Sequence, residues 1–145
     1  MPEATRSQFF DSLEDNWGGL VARFRSLPPH EQAVWLARQG YARLADLLAH
    51  VIAWWDEAMP IISRLAAGQE VGHKEYDEDR FNAEAVARFA DYDEAMVIAA
   101  FDARCKQWIT LVNELPDSAL AEPRLAERLH VELIRHYQEH TLAAR

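Results

Sequence analysis

The sequence predicts an all-α protein built as a four-helix bundle. Three observations carry that reading. Apolar residues recur at steps of 3 and 4 in four separate segments, the spacing of one helix face. No segment alternates with period 2 for long enough to make a convincing strand. Glycine (5) and proline (6) are too few among 145 residues for a turn-rich all-β fold. Four apolar faces that must each be buried close a bundle, and 145 residues suit one domain, here taken as residues 1–145.

The first stripe runs Phe10, Leu13, Trp17, Leu20, Phe24, Leu27 and predicts a helix over 4–27, stopped by Pro28-Pro29. A short helix over 30–39 follows, with Gly40 as its C-terminal cap. The second long helix spans 41–67, on Leu44, Leu48, Val51, Trp55, Ala58, Ile62 and Leu65, and Gly68 ends it. Pro60 lies inside this pattern, where the missing backbone donor should kink the helix near Asp56 or divide it there. About 25 residues then connect to the third helix. Within them the end of EYDEDRFNAEAVARF suits another short helix, whereas Asp77-Glu78-Asp79 reads as a solvated loop, lacking the spacing and glycine of a calcium loop. The third helix, 92–115, carries Ile98, Phe101, Cys105, Trp108, Val112 and Leu115. Asp93 can cap its start, and Leu115-Pro116 stops it. The fourth, 124–143, opens at Pro123 and carries Leu125, Leu129, Leu133, His136 and His140. A connection as long as 68–92 can climb back along the bundle, so that the second and third helices run parallel.

Composition excludes several functions. With 15 basic and 24 acidic residues the net charge is −9, which disfavours nucleic acid and an anionic membrane as partners. The one cysteine, Cys105, permits neither an internal disulfide nor a Cys-rich zinc site. On a core step of the third helix, it reads as a buried, inert thiol. The opening MPEATRSQFF has no basic region followed by an apolar one, and the most apolar stretch, 47–55, is too short to span a bilayer. The expected location is the cytoplasm, and the expected partner a small-molecule substrate.

Chemistry concentrates on three histidines. His136 and His140 stand at i, i+4, which puts two imidazoles on one helix face about 5–6 Å apart at Cβ. Chance supplies about a quarter of such a pair with six histidines in 145 residues, so the spacing alone is a weak motif. Position adds weight, because both continue the stripe of Leu129 and Leu133 and should face the interior, where an unpartnered polar group is costly. His50, in LLAHVIAWW, lies at the border of the second helix's core stripe. Facing the i, i+4 pair it would complete a three-nitrogen site with positions open for water or substrate. Periodicity equally allows three hydrogen-bonded structural histidines. Trp54, one turn from His50, is a candidate pocket wall. Glu57 and Glu132, two turns after His50 and one turn before His136, could each orient a ligand imidazole or remain solvated carboxylates. His30, His73 and His130 have no partner signal.

The stretch Ala45-Asp46-Leu47-Leu48-Ala49-His50-Val51-Ile52-Ala53-Trp54, followed by a long crossover and by His136-Tyr137-Gln138-Glu139-His140, resembles the DinB-like superfamily of four-helix bundles. Arg80-Phe81-Asn82-Ala83-Glu84-Ala85-Val86 looks like that superfamily's ClbS/DfsB branch. The resemblance covers nearly the whole chain in order and spacing. It implies an up-down-down-up bundle with the long crossover between helices two and three. It also implies that His50, His136 and His140 match a metal triad, for Zn or Ni. Metal-dependent thiol transferases, a maleylpyruvate isomerase type and small-molecule resistance proteins occur in the superfamily. Two functions follow as expectations. One is an enzyme performing thiol transfer or hydrolysis on a small electrophile, with acid/base work on Tyr137, Glu57 or a water. The other is a non-catalytic protein that sequesters a small molecule. A homodimer formed through exposed helix faces is a further expectation. Unperturbed imidazoles would lose the ion as pH drops through about 6–7.

Overall fold

The computed structural model describes residues 2–140, with side chains from Arg6 onward, and the described residues contain helices and no strand. Helix α1 covers residues 2–26 as one continuous rod, α-helical over Pro2–Asp11 and Gly18–Ser26 with a π-helical stretch, Ser12–Trp17, between them. Next come α2 (Pro29–Gln39), α3 (Leu44–Ala66), α4 (Glu78–Arg88), α5 (Glu94–Glu114) and the single turn α6 (Asp117–Leu120). Helix α7 covers residues 123–139, with a second π-helical stretch, Val131–Arg135, between α-helical Pro123–His130 and His136–Glu139. The four long helices are α1, α3, α5 and α7.

Local chemistry accounts for the ends. Pro29 and Pro123 sit in first turns, where a missing N–H costs nothing. Asp93 Oδ1 accepts from the Met96 N–H at 2.8 Å, and Glu122 Oε2 from that of Leu125 at 2.7 Å. Gly40, at φ +85°, ends α2 in the left-handed conformation that glycine adopts without a Cβ penalty, and this turn sets Gln39 and Tyr41 beside the same cavity. The acidic run 77–79 is a helix start rather than a loop. Asp77 Oδ1 caps α4 at the Arg80 N–H (3.2 Å), and Glu78 and Asp79 occupy the first turn, where the helix dipole favours negative charge.

Contacts along the rods give their directions. Arg6 in α1 donates to the Leu115 carbonyl (2.8 Å) beyond the end of α5, while Trp17 meets Phe101 nearer its start, so α1 and α5 are antiparallel. Ser12 bonds the Leu133 carbonyl and Arg23 the Tyr137 hydroxyl, so α1 and α7 run together. His50 faces His136, and Trp55 points at the Glu132 carbonyl, so α3 opposes α7. Helices α3 and α5 therefore share one direction, and α1 and α7 the other. Trp17, Trp55, Trp108 and Phe101, all fully buried, form the centre, with Trp55 stacked on Phe101 at 5.4 Å.

Several expectations change. The second long helix begins at Leu44, because Arg43 is extended, and it runs through Pro60 without dividing. Pro60 is solvent-exposed, so its ring meets no packed neighbour. In α1 the buried aromatic is Phe9, at 1% exposure, while Phe10 is only partly buried. The π stretch inserts an extra residue and slips the phase, so the buried set steps by four: Phe9, Leu13, Trp17. The same slip in α7 gives Leu125, Leu129, Leu133, Tyr137, so Tyr137 takes the core step predicted for His136. The end expected for the fourth helix, 141–143, lies outside the described residues. Cys105 is buried, and burial pushes its thiol up to about 12, as an inert core thiol requires.

Candidate metal centre

The start of α3 and the end of α7 meet at one end of the bundle, and there the three histidines converge. Their rings stand edge-on to one another, with centroids 4.9–5.1 Å apart, and one nitrogen from each lies within 4.8 Å of the other two. His50 and His140 are buried, and His136 is partly so. After the π stretch the His136 ring lies between the edge of the core, where it packs against Trp17 at 5.4 Å, and His50 of α3 at 5.1 Å. The stretch also leaves the Leu133 carbonyl to accept from Ser12 Oγ (2.5 Å) and Trp17 Nε1 (2.9 Å), so the distortion is fully bonded.

The outer nitrogens are fixed first. His50 Nδ1–H donates to the Leu47 carbonyl at 2.5 Å, and His140 Nδ1–H to Gln39 Oε1 at 2.6 Å. Each bond leaves Nε2 as the bare lone pair, the form in which imidazole binds a metal. His50 Nε2 lies 3.1 Å from His136 Nε2. Two nitrogens bound to one ion at 2.0–2.1 Å stand about 2.9–3.4 Å apart in octahedral or tetrahedral geometry, so this spacing fits an ion. The Nε2 of His140 is buried without any partner, an orphan that costs about 1–3 kcal/mol unless something binds it. Burial drives all three rings toward the neutral form: His50 falls to about 3, His140 to about 4, and His136 well below its usual value, with the neighbouring imidazoles lowering His50 and His136 further.

The cluster opens into a cavity of about 260 Å³. Trp54 lines it, stacked on Phe81 at 4.0 Å and held by its indole N–H to Asn82 Oδ1 at 2.8 Å. Tyr41 lines it as well, stacked on His50 at 4.9 Å, and burial together with the charge of Asp46 pushes its hydroxyl up to about 12. The third wall is Glu132, only 5% exposed, whose carboxyl burial raises to about 7 although Arg128 Nε lies 3.2 Å away and pulls the other way. Glu57 and Tyr137 are elsewhere. Glu57 accepts from Lys74 Nζ (2.7 Å) and the Tyr76 hydroxyl (3.0 Å), while Tyr137 packs in the core against Trp17 at 5.2 Å and its hydroxyl accepts from Arg23 Nη2 at 2.8 Å. Sequence reasoning missed Gln39, Tyr41 and Asn82. They come from α2, its cap and α4, and only the tertiary fold brings them to the histidines.

Among the described residues no helix is long and apolar enough to cross a membrane. Neither the curated proteins nor the solved structures include a significant match to the chain. The sequence pattern of the DinB superfamily does match, over residues 12–143, which takes in α3, α5, α7, the part of α1 from Ser12 onward and all three histidines. By that match, and by the helical architecture that agrees with it, the chain belongs to the DinB superfamily.

Proposed function

We propose that the chain is a metal-dependent enzyme acting on a small electrophile by thiol transfer or hydrolysis, with Zn²⁺ or Ni²⁺ held by His50, His136 and His140. The observation that carries this reading is the buried, partnerless Nε2 of His140 beside the His50–His136 nitrogen pair. A divalent ion held there supplies Lewis acidity, which makes a thiol or water a stronger nucleophile near neutral pH.

The remaining work falls to the chain. Leu47 and Gln39 hold two rings in the ligating tautomer, so His50 and His140 need no change of tautomer when the ion enters, and only His136 must release the proton that its Nε2 shares with His50. Glu132, in the cavity wall with a pKa close to 7, takes the proton of the entering S–H or O–H on its carboxylate and returns it to the atom of the electrophile that gains negative charge. Trp54 and Tyr41 shield the site from bulk water on two sides. The finer placements, in the ClbS/DfsB branch, in the cytoplasm and as a homodimer, belong to the same proposal.

The cavity between aromatic walls also suits a protein that sequesters a small molecule without turning it over. Metal content decides between the two readings. Protein purified without added metal is expected to carry close to one divalent ion per chain and to melt lower after chelation. Metal-free protein that gains no stability from Zn²⁺ or Ni²⁺ would leave the sequestering role as the better reading.

A further inference from the structure

Beside the histidine cavity lies a second, larger hollow of about 530 Å³, between the Gly40 turn and α4. Gln39, Tyr41 and Asn82 border both spaces and form the junction between them. They come from the end of α2, the residue after its cap and the body of α4, and each is partly buried. All three are tied to the walls of the histidine cavity on one side. Gln39 Oε1 accepts from His140 Nδ1–H at 2.6 Å, Asn82 Oδ1 accepts from the Trp54 indole N–H at 2.8 Å, and the Tyr41 ring stacks on His50 at 4.9 Å.

These ties spend the acceptors and leave the donors. An indole nitrogen only donates, so the Asn82 atom that faces Trp54 is the oxygen, and the NH₂ is the other branch of the amide. The bond from His140 sets Gln39 in the same way. Among the described residues nothing accepts from Gln39 Nε2, Asn82 Nδ2 or the Tyr41 hydroxyl. The tyrosine also stays a donor near neutral pH, because burial and the charge of Asp46 push its hydroxyl up to about 12.

The free donors are uncharged, and so is the group that suits them. Glu78 and Glu139 line the inner space and Asp46 and Asp79 the outer one, while Arg135, the cation of the inner lining, is drawn toward Glu127 at 3.5 Å. An ion on the histidines offsets part of the inner charge, yet it leaves the junction's own groups neutral. An anion placed there finds no cation of the chain beside it, whereas a neutral oxygen finds donors at no such cost. We infer that the junction is the subsite for an uncharged oxygen acceptor of the small molecule, a carbonyl or amide oxygen, received by Gln39 Nε2, Asn82 Nδ2 and the Tyr41 hydroxyl. The inference rests on the metal-enzyme reading for the reaction and names its electrophile as a carbonyl compound, such as an ester, an amide or an enone. Hydrogen bonds to that oxygen draw electron density from the carbon that a thiol or water attacks. A hydrocarbon of the same shape leaves the donors unpaired, so the three side chains determine specificity.

The test titrates acetophenone, ethylbenzene and benzoate into the metal-free full chain and follows the side-chain amide signals by proton–nitrogen NMR. The probes share a phenyl ring, suited to the Trp54 and Tyr41 walls, and differ in bearing a neutral oxygen, none, or a charged carboxylate. Acetophenone is expected to shift the NH₂ signals of Gln39 and Asn82 and to bind about tenfold tighter than ethylbenzene, with benzoate weaker than acetophenone. Tyr41→Phe keeps the ring on His50, and Gln39→Glu and Asn82→Asp keep the acceptors of His140 and Trp54. Each removes a donor and should weaken acetophenone about three- to tenfold while moving ethylbenzene by less than about twofold. Gln107→Glu, exposed on α5 and lining neither hollow, should change neither probe. Equal binding of acetophenone and ethylbenzene, benzoate ahead of acetophenone, or variants that weaken both neutral probes alike would overturn the inference. Zinc uptake, measured separately by competition titration, tests the metal reading. Its failure would sink that reading alone, since the ranking in metal-free protein still decides the junction.

Discussion

His140 shows how a single side chain 101 positions away in sequence can control a candidate ligand. Its Nδ1–H is committed to Gln39 Oε1, and for that reason its Nε2 is a lone pair with nothing to bind. Replacing Gln39 by Leu removes the acceptor that fixes the tautomer, and Zn²⁺ affinity is expected to fall about 10–100-fold in a competition titration. His140→Ala removes the ligand itself and should lower affinity by further orders of magnitude. His73→Ala, at an exposed position in the crossover, should change nothing. The i, i+4 spacing made His136 and His140 readable as a pair, and the border position of His50 made it readable as their partner. Gln39 was unreadable because nothing local ties the end of α2 to the end of α7. Glu132 was half readable, as a carboxylate one turn before His136. That it is buried and lines the cavity, while Glu57 is taken up by Lys74 and Tyr76, depends on how α3, α7 and the crossover pack.

The two π stretches matter most at the level of the element. They face one another across α1 and α7, joined by Ser12 and Trp17 on the Leu133 carbonyl. A regular 3-4 stripe assumes 3.6 residues per turn from end to end. It therefore gave the helices and their stops but misplaced the phase at Phe9 and Tyr137, because i→i+5 bonding leaves no mark in hydrophobic spacing. Gly18 is the local sign of the first stretch. Its N–H bonds the Leu13 carbonyl, and a Cβ there would stand 2.8 Å from that oxygen, closer than real contacts allow. Gly18→Ala should therefore destabilise the protein by about 1–3 kcal/mol, although alanine is the better helix former. Chemical denaturation checks this, and an unchanged or raised midpoint would mean that the π turn relaxes at no cost.

Across the whole molecule, the buried histidines tie the fold to pH, and the sign follows from their depressed pKa values. Between the unfolded value near 6.5 and the folded values of about 3 for His50 and about 4 for His140, the unfolded chain binds more protons than the native one. Stability of the metal-free protein is thus complete above 6.5 and is lost as pH falls, by about 1.4 kcal/mol per pH unit for each such proton. Glu132 acts in the opposite sense. Raised to about 7, it holds a proton in the native state that the unfolded chain gives up above about 4.5, and so offsets one histidine over part of the range. The same depressions alter the metal prediction made from unperturbed rings. Three imidazoles titrating near 6.5 would cost about tenfold each at pH 5.5, or roughly a thousandfold in affinity. Rings that stay neutral down to about 4 leave native-state affinity almost flat from pH 7.5 to 5.5, while metal-free stability falls over the same interval. Chelated protein should therefore melt progressively lower as pH drops, and Zn²⁺-loaded protein should keep its advantage at pH 5.5. Competition titration at both pH values, beside melting curves with and without chelator, separates the cases. A change in affinity under about threefold is expected. A loss of a hundredfold or more would mean that the rings titrate as solvent-exposed imidazoles, and that the packing of α3 against α7 does not hold them neutral.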